Sequence, residues 1–558
     1  MAGDIGTGIG TDTDTVRRYV EAVRDRPRQP LDPERFTIDW SDRPSPHTRY
    51  PGAPRIALPP ARAESVAGGL GHLLTDSHSP CGQGGLSADL FAGMLHLAAG
   101  PLSRRWQIDW NLDASRRARL QYAAWGRGTP SGGSNYPWEL YWVAPPAAAV
   151  APGLLHYASG QHVLERLVTG DLTKAVRTAL PQGPSDDASG GYLVCTMRPW
   201  KTAFKYSAFS YQVATHDIGA FLGSWSALSR AVSVPYRAHL WFDEPALNAV
   251  LGLDPAEESV HAVLPLAWRS GQGAGAAAGA GPRAAPAARY GAGAPPRPSA
   301  SQASSRTRGF PVADAVRRAT VRMLPDRSRS DLLLPVAAPA DRPPVAATAP
   351  AGELPTGAVV LPEPELPGTG LGELLSTRRS ANGRFDPGRP LTAGELAAVL
   401  ACGAAAPGHR LTRILVGVHR VEGVAPGSYQ YDRDRHALIP SGPVHGAGPN
   451  LTEHHYSLQN YSVAQAAAVV ALAWRPLTSL KELGPRAYRA AHADAGAGAQ
   501  YLHLAAQAVG VGCGLVLGMD PRAVDEALAG DDPELRTTLY LFLGHRLPGA
   551  ATVDDRLA

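Results

Sequence analysis

The strongest constraint on the fold is an internal repeat, because three segments from the first part of the chain recur in the same order in the second part. The matching pairs are 86–95 with 391–400, 151–167 with 425–440, and 217–234 with 494–511. From the Pro-Gly pair to the aspartate is 65 residues in the first copy (152 to 217) and 68 in the second (426 to 494). Shared order and spacing predict two similar units in one chain.

A low-complexity stretch separates the two copies. Residues 271–309 are rich in Gly, Ala, Pro and Ser and lack the apolar periodicity needed to bury one face. A short apolar-patterned piece, 310–334, and a second Ala/Pro-rich run follow. The predicted organisation is therefore an N-terminal tail (1–30), a first domain (31–269), a linker (270–357) and a second domain (358–558).

Composition excludes several classes of protein. The 53 basic and 49 acidic side chains give a net charge of only +4, which argues against a nucleic-acid binder. Four widely separated cysteines without a CxxC pair predict neither a disulfide framework nor a zinc site, and no metal is expected. The polar N-terminus and the short longest apolar run, 464–474, favour a cytoplasmic protein that does not enter a membrane.

Periodicity predicts helices and short strands in both copies. Five residues of the last repeated segment share one helical face, and Gly510 and Gly512 follow it as helix terminators. These five are Ala497, Tyr501, Leu504, Ala505 and Ala508. Segments rich in β-branched and aromatic residues predict strands at 139–144, 413–421 and 538–544. The predicted fold class is α+β.

An arginine cluster is the first candidate binding site. Arg378, Arg379, Ser380 and Arg384 lie within seven residues of one another, before a helix-like run. Guanidinium forks suit a phosphate dianion. The alternative interpretation is a solvated run of charge beside a helix start.

A loop of small residues is the second candidate. Pro130, Ser131, Gly132 and Ser134 precede a predicted strand, and small residues allow backbone N–H groups to approach a ligand closely. The alternative is an ordinary turn before a strand.

An adjacent amine and phenol form the third candidate. Lys205 and Tyr206 lie in a stretch that also carries several aromatic residues. Such surroundings lower a lysine pKa toward the range useful for a base. The alternative is a surface lysine whose stem lies along a packed tyrosine.

Two sets of motifs carry a family resemblance. In the second copy, RRSANGRF (378–385), the segment at 391–400, the helix-to-glycine segment at 494–520 and LYLFLGHR (539–546) resemble the FMN-dependent nitroreductase superfamily. In the first copy, YPGAPRIALP (50–59), TPSGGSNYPWELYWV (129–143) and the segment at 204–223 resemble SagB-type azoline dehydrogenases.

The resemblance implies two tandem nitroreductase-like domains that form an intrachain pseudo-dimer around one FMN. In that superfamily each of two subunits supplies different flavin contacts. The second copy keeps one set, namely Arg378, Arg379, Ser380, Arg384, Gly518 and Arg546, together with Gln459. The first copy keeps the other, namely Pro130, Ser131, Gly132 and Ser134. In the first copy, 75–85 replaces the arginine cluster and 238–245 replaces the glycine stretch.

The resemblance also implies a reaction. Oxidation of a thiazoline or oxazoline to the azole removes a proton and a hydride from adjacent carbons, so it needs a base opposite the flavin. Lys205 or Tyr206 is the implied base, and the sequence leaves open which of them acts. The second copy has 485–488 at the matching place and no Lys-Tyr pair. The implied substrate is an azoline-containing ribosomally made peptide, prepared by a YcaO-type cyclodehydratase.

Two other functions fit the sequence. A flavin reductase that passes electrons from NAD(P)H to quinones or nitroaromatics is compatible with the fold, since fold does not fix function. A non-catalytic peptide-binding scaffold with degenerate flavin motifs is the third hypothesis, and it predicts a colourless protein.

Overall fold

The fold is mixed, with helices and antiparallel sheets in both parts of the chain. The structure is a computed structural model. The structure describes residues 11–32, 36–60, 66, 68–74, 85–109, 119–120, 124–146, 148, 150–181, 188–269, 300–301, 304–321, 354–381, 385–408, 411–441, 451–458, 460–530, 532–547 and 552–556. Most of the predicted linker, and residues 75–84, lie outside this description.

The first part of the chain contains seven helices and nine strands within the described residues. In chain order they are α1 (Asp12–Asp25), β1 (Arg55–Ala57), α2 (Gly71–Leu74), α3 (Ala88–Ala99), β2 (Ser103–Asp109), β3 (Arg119–Leu120), β4 (Ala124–Gly126), β5 (Trp138–Ala144), β6 (Gly153–Ala158), β7 (Val163–Thr169), α4 (Thr173–Ala179), β8 (Tyr192–Met197), α5 (Pro199–Tyr206), α6 (Ser210–Ala231), α7 (Glu244–Leu251) and β9 (Ser259–Pro265).

The second part continues the same alternation. Its elements are α8 (Pro311–Ala319), β10 (Val359–Val360), α9 (Leu371–Thr377), α10 (Ala393–Ala404), β11 (Thr412–Val418), β12 (Gly427–Asp432), β13 (Ala437–Pro440), β14 (Ala468–Trp474), α11 (Pro476–Leu483), α12 (Ala487–Ala508), β15 (Gly512–Val516), α13 (Pro521–Leu528), β16 (Arg536–Gly544) and β17 (Thr552–Arg556).

The two large sheets have the same strand order. The first runs β1-β7-β6-β5-β8-β9 and the second β10-β13-β12-β11-β14-β16, with β15 added at its edge. All these pairs are antiparallel, and β8 and β14, which occupy the same position in the two strand orders, are buried along their whole length. A third sheet joins the last strand of the second part to the first part, because β17 pairs with β2. The predicted strands at 139–144, 413–421 and 538–544 are confirmed as β5, β11 and β16.

Two of the three repeated sequence segments form equivalent helices in the two parts of the chain. Helices α3 and α10 each span 12 residues, and each begins with a hydroxyl cap. Ser87 Oγ accepts a hydrogen bond from Leu90 N at 3.2 Å, and Thr392 Oγ1 accepts one from Glu395 N at 3.1 Å within a capping box. Helices α6 and α12 each span 22 residues and contain the repeated aspartates, Asp217 and Asp494. The helix predicted across 497–508 is confirmed as the second half of α12.

The two long helices pack on each other at glycines. A Cβ atom at Gly219 would lie 2.2 Å from the Ala493 carbonyl oxygen, and one at Gly496 would lie 2.1 Å from the His216 carbonyl oxygen. Only glycine permits this approach of the two backbones. The rings of Tyr211 and Tyr488, near the starts of the two helices, stack at 5.6 Å. The two parts of the chain therefore meet through equivalent elements.

The N-terminal segment forms a helix that bridges the two parts. Tyr19 OH of α1 donates to the Ala208 carbonyl oxygen at 2.9 Å, and Arg24 pairs with Asp525 of α13 at 2.8 Å. Helix α8, within the predicted linker, packs on α1. The helix at residues 12–25 was not predicted from the sequence, and the predicted domain boundaries stay a prediction. No helix among the described residues has the length and apolar character needed to cross a bilayer.

Candidate functional site

A cavity of about 540 Å³ lies between the two parts of the chain, within the size range of small-molecule sites. The first part contributes Pro130, Ser131, Gly132, Ser134, Lys205 and Tyr206. The second part contributes Arg378, Arg379, Ser380, Gly518 and Arg546. Two further predicted residues, Arg384 and Gln459, lie outside the described part of the chain. The structure thus brings eleven of the thirteen predicted site residues to one cavity.

The small-residue loop is held by a buried carboxylate of α6. Ser131 Oγ donates to Asp217 Oδ2 at 2.6 Å, and Gly132 N donates to Asp217 Oδ1 at 2.9 Å. Ser131 Oγ also accepts a hydrogen bond from Tyr136 N at 2.8 Å. Gly133 and Ser134 have φ values of 64° and 56°, so the chain turns sharply here. The sequence analysis assigned Asp217 only a place in the repeat, and its role as the loop's anchor was missed.

Burial raises the pKa of Asp217 to about 7, against an ordinary value near 3.8. The folded chain therefore binds this proton more tightly than the unfolded chain does. The resulting contribution to the free energy of unfolding is fully present below about pH 4 and is lost as pH rises through 7. Because asparagine does not titrate, the stability of Asp217→Asn relative to wild type is expected to increase between pH 5 and pH 8 by a few kcal/mol at most, on the order of 1.4 kcal/mol per pH unit.

Urea unfolding of both proteins at the two pH values measures this change. Asp171→Asn is the matched control, since Asp171 is exposed. If the free energies of unfolding of wild type and Asp217→Asn differ by the same amount at both pH values, Asp217 does not titrate in this range.

Lys205 and Tyr206 end α5 and converge on the same loop. A Cβ atom built at Gly133 would lie 2.8 Å from Lys205 Nζ and 2.9 Å from Tyr206 OH. Both side chains are half-buried, and Lys205 Nζ lies 5.2 Å from the centre of the Tyr206 ring. Ser207, with φ 46°, ends the helix and redirects the chain. The Lys205 amine and the Tyr206 phenol thus face the cavity side by side, next to the backbone of Gly133, which has no side chain.

The counterpart of this pair in the second part differs from the one predicted. Helices α5 and α11 both span eight residues and precede the long helices, so Glu482 and Leu483 stand where Lys205 and Tyr206 stand. The sequence-based match to 485–488 was wrong, because Tyr488 belongs to α12 and stacks on Tyr211. Either alignment leaves the second part without a Lys-Tyr pair.

Arg378 connects the two walls of the cavity. Its side chain is 4% exposed, and its Nε and Nη2 donate to the carbonyl oxygens of Gly128 and Arg127 at 2.8 and 3.0 Å. These carbonyls immediately precede the small-residue loop. Two of the donors of this guanidinium are therefore directed at the backbone of the first part, and its predicted contact with a phosphate stays a prediction.

Arg379 and Arg546 make the second wall cationic. Burial and the nearby charge of Arg379 lower the pKa of Arg546. Both side chains are half-buried, and an anion bound between them would relieve their repulsion. Ser380, next along the chain, hydrogen-bonds the Tyr461 side chain. This wall has the donor set of a phosphate site.

The glycine stretch after β15 is fixed from two sides. Ser457 N and Ser457 Oγ both donate to the Gly518 carbonyl oxygen at 2.9 Å, and a Cβ at Gly518 would lie 3.1 Å from Ser457 Oγ. Arg26, just after α1, donates to the carbonyl oxygens of Leu517 and Met519. Arg26 also lies over the Phe209 ring at 4.4 Å. No sequence signal indicated Arg26, because it falls in the predicted tail.

Residues 375–545 match the Nitroreductase family model. This part of the chain is similar to that family. The match includes Arg378, Arg379 and Ser380 and ends one residue before Arg546. Members of this family are flavin-dependent oxidoreductases.

A comparison with solved structures extends the likeness to the whole chain. A candidate nitroreductase from Anabaena variabilis superposes with a TM-score of 0.67 at 20% identity, covering 96% of this chain and 99% of that one. At this identity the likeness concerns the fold.

Shorter matches include a candidate nitroreductase from Ralstonia eutropha, at TM-score 0.29 and 20% identity, covering 37% of this chain and 98% of that one. The E. coli microcin synthetase McbBCD complex with truncated pro-MccB17 matches at TM-score 0.26 and 15% identity, covering 31% of this chain and 71% of that one. A comparison with curated proteins finds no match.

Proposed function

We propose that this protein is an FMN-dependent dehydrogenase that oxidises azoline rings in a ribosomally synthesised peptide to thiazoles or oxazoles. One observation carries the proposal: Lys205 and Tyr206 face, across a single cavity, the cationic wall of a part of the chain that is similar to the nitroreductase family. The family supplies the redox class. The added amine and phenol supply what proton removal from a ring carbon requires.

FMN fits the donor set of the cavity. Arg379, Ser380 and Arg546 would hold its phosphate and ribityl chain, together with Arg384 and Gln459 as further proposed contacts. Gly132, Gly133 and Gly518 leave room for close approach to a flat ring, and Arg378 would fix the two walls relative to each other. When bound, FMN supplies a hydride acceptor.

The protein's own groups handle the proton. In the proposed step, Lys205 or Tyr206 would take the proton from the azoline ring, and a bound FMN would supply the acceptor for the hydride, so that an aromatic azole is left. O₂ would be the final acceptor of the two electrons and two protons, giving H₂O₂. Asp217 positions the loop beneath these two side chains through Ser131 and Gly132.

We further propose that the two parts form an intrachain pseudo-dimer, with domains at 31–269 and 358–558 and one composite site. Asp494 mirrors Asp217, because it accepts a hydrogen bond from Leu411 N at 3.0 Å and so holds the matching loop. A Cβ at Gly408 would lie only 2.3 Å from Asp494 Oδ1, which leaves little space there. In the second part, Glu482 and Leu483 stand where the first part has the candidate base. These differences favour one active site.

Arg546→Gln is expected to lower FMN affinity by about 10- to 100-fold, since a hydrogen bond to a charged group contributes roughly 1.5–3 kcal/mol. Fluorescence titration of the FMN-free protein with FMN measures the change. Arg389→Gln is the control, because Arg389 is exposed and outside the cavity. Unchanged affinity in Arg546→Gln would remove Arg546 from the phosphate site.

The function is tested with a synthetic thiazoline peptide, the FMN-loaded protein and air. The expected product has lost two hydrogen atoms per ring by mass spectrometry, with one H₂O₂ formed for each. The alternative, an NAD(P)H-dependent nitro or quinone reductase, predicts an unchanged peptide and rapid flavin reduction by NADPH. A cytoplasmic location and a YcaO-type cyclodehydratase partner follow from the proposal, because another enzyme must form the azoline first.

A further inference from the structure

A second cavity, of about 670 Å³, adjoins the first. We call it the flanking cavity. Its walls are formed by residues 26–32 and 36–38 after α1, by the turn that follows α5, and by two stretches of the second part, 454–457 and 518–520. It is more open to solvent than the first cavity.

Four residues border both cavities: Arg26, Lys205, Ser457 and Gly518. Lys205, the candidate base, is therefore at the boundary. A substrate whose reacting ring lies beside Lys205, with the cofactor filling the first cavity, must leave the rest of its molecule in the flanking cavity.

The chemistry of the walls indicates what this cavity accepts. One wall is apolar and consists of Pro27, Pro30, Leu31, Phe36 and Ile38. Both carboxylates that line the cavity have partners, and its basic side chains are Arg26, Lys205, His454 and His455. Asp520 makes two hydrogen bonds with Arg28, at 3.0 and 2.8 Å, and Asp32 Oδ2 accepts one from Ala208 N at 3.0 Å.

A nucleotide such as NADPH would need cations for its phosphates. Arg26 cannot fill that role easily, since its guanidinium donates to the backbone carbonyls of Leu517 and Met519. An extended peptide with apolar side chains matches an apolar wall without additional charges. The cavity is also pre-formed, because Arg24 and Arg28 pair with Asp525 and Asp520 and fix the segment to the second part.

We propose that the flanking cavity binds the uncharged peptide segment next to the ring being oxidised. This inference rests on the proposed function and adds to it the place where the peptide next to the ring is bound, and the uncharged character of that part of the peptide. Leu31 and Ile38 are the specificity-determining residues.

Two variants fill the cavity, Leu31→Trp and Ile38→Trp. Leu477→Trp is the control, because Leu477 is 54% exposed on α11 and lies outside both cavities. The substrates are a small N-acylated thiazoline amide and an uncharged peptide with the same thiazoline in its middle. Both cavity variants are expected to raise KM for the peptide about tenfold or more, a loss of at least about 1.4 kcal/mol of binding. Their kcat, their FMN content and their rate on the small amide stay at the control's level.

Equal KM for the peptide in all three variants would overturn the flanking-cavity proposal while leaving the dehydrogenase function intact. If wild type oxidises neither substrate, the proposed function fails, and peptide binding alone then tests the flanking-cavity proposal. Fluorescence anisotropy of a fluorescein-labelled peptide that carries a thiazole then gives the answer. Weaker binding by the two cavity variants than by Leu477→Trp upholds the cavity, and equal binding or no binding by wild type overturns it.

Discussion

Lys205→Ala is expected to lower azoline oxidation by about 10²- to 10⁴-fold where the Lys205 amine is the base, the usual contribution of a positioned acid–base group. FMN content is expected to stay at the wild-type level, since the cationic wall belongs to the second part of the chain. Lys205 Nζ and Tyr206 OH approach the same point above Gly133, so either group has access to a ring proton in the cavity. The rate of thiazoline-to-thiazole conversion under air measures the loss.

Tyr206→Phe distinguishes the two candidates for the base. If the Lys205 amine takes the proton, Tyr206→Phe retains most of the activity. If the Tyr206 phenol takes the proton, Lys205→Ala retains most of the activity. Lys174→Ala serves as the control because Lys174 is exposed on α4. Full turnover by both Lys205→Ala and Tyr206→Phe would refute the assignment of the base to this pair.

Glu244→Gln is expected to destabilise the chain by about 3–5 kcal/mol, the usual cost of breaking a buried ion pair. Glu244, at the start of α7, is 1% exposed and pairs with Arg486 and Arg489, which precede and begin α12. The variant leaves two buried guanidiniums without a carboxylate at the junction of the two parts. Arg486 also donates to the Leu240 and Thr320 carbonyl oxygens, so three segments meet at this cluster.

The pH dependence of this interaction has a definite sign. Despite burial, which acts to raise it, the pKa of Glu244 lies below its ordinary value because Arg489 and Arg486 stabilise the carboxylate. Its stability contribution is therefore present above the ordinary pKa and is lost as pH falls through the folded value. Urea unfolding at pH 7 is compared with Glu257→Gln, an exposed control. A variant within about 0.5 kcal/mol of wild type, the range of neutral surface changes, would contradict the account.

Local patterns in the sequence were enough to predict the repeat, the long helix ending near Gly510 and the three strands. The helix and the strands rest on periodicity and residue types within a single segment, and the repeat rests on the shared order and spacing of three segments. The register between the two copies was less certain. The Lys-Tyr pair was matched one helix too late, because α11 ends only a few residues before α12 begins.

Contacts between distant segments were not readable in the sequence. Arg378 has the residue type and neighbours of a phosphate ligand, yet two of its donors bind carbonyls about 250 positions away. Arg26 stands in a segment without any motif and still fixes the wall beside Gly518. Asp217 anchors the loop 85 positions before it. Such roles depend on how the two parts pack, which no local pattern encodes.

The most direct test of the composite site is the amount of FMN bound per chain. The full-length protein is purified, saturated with FMN, freed of excess and denatured, and the released flavin is quantified against protein concentration. One composite site between the two parts predicts a ratio near one FMN per chain. A ratio near two would contradict the single-site account, and no flavin after reconstitution would contradict the assignment of a flavin enzyme and favour a scaffold.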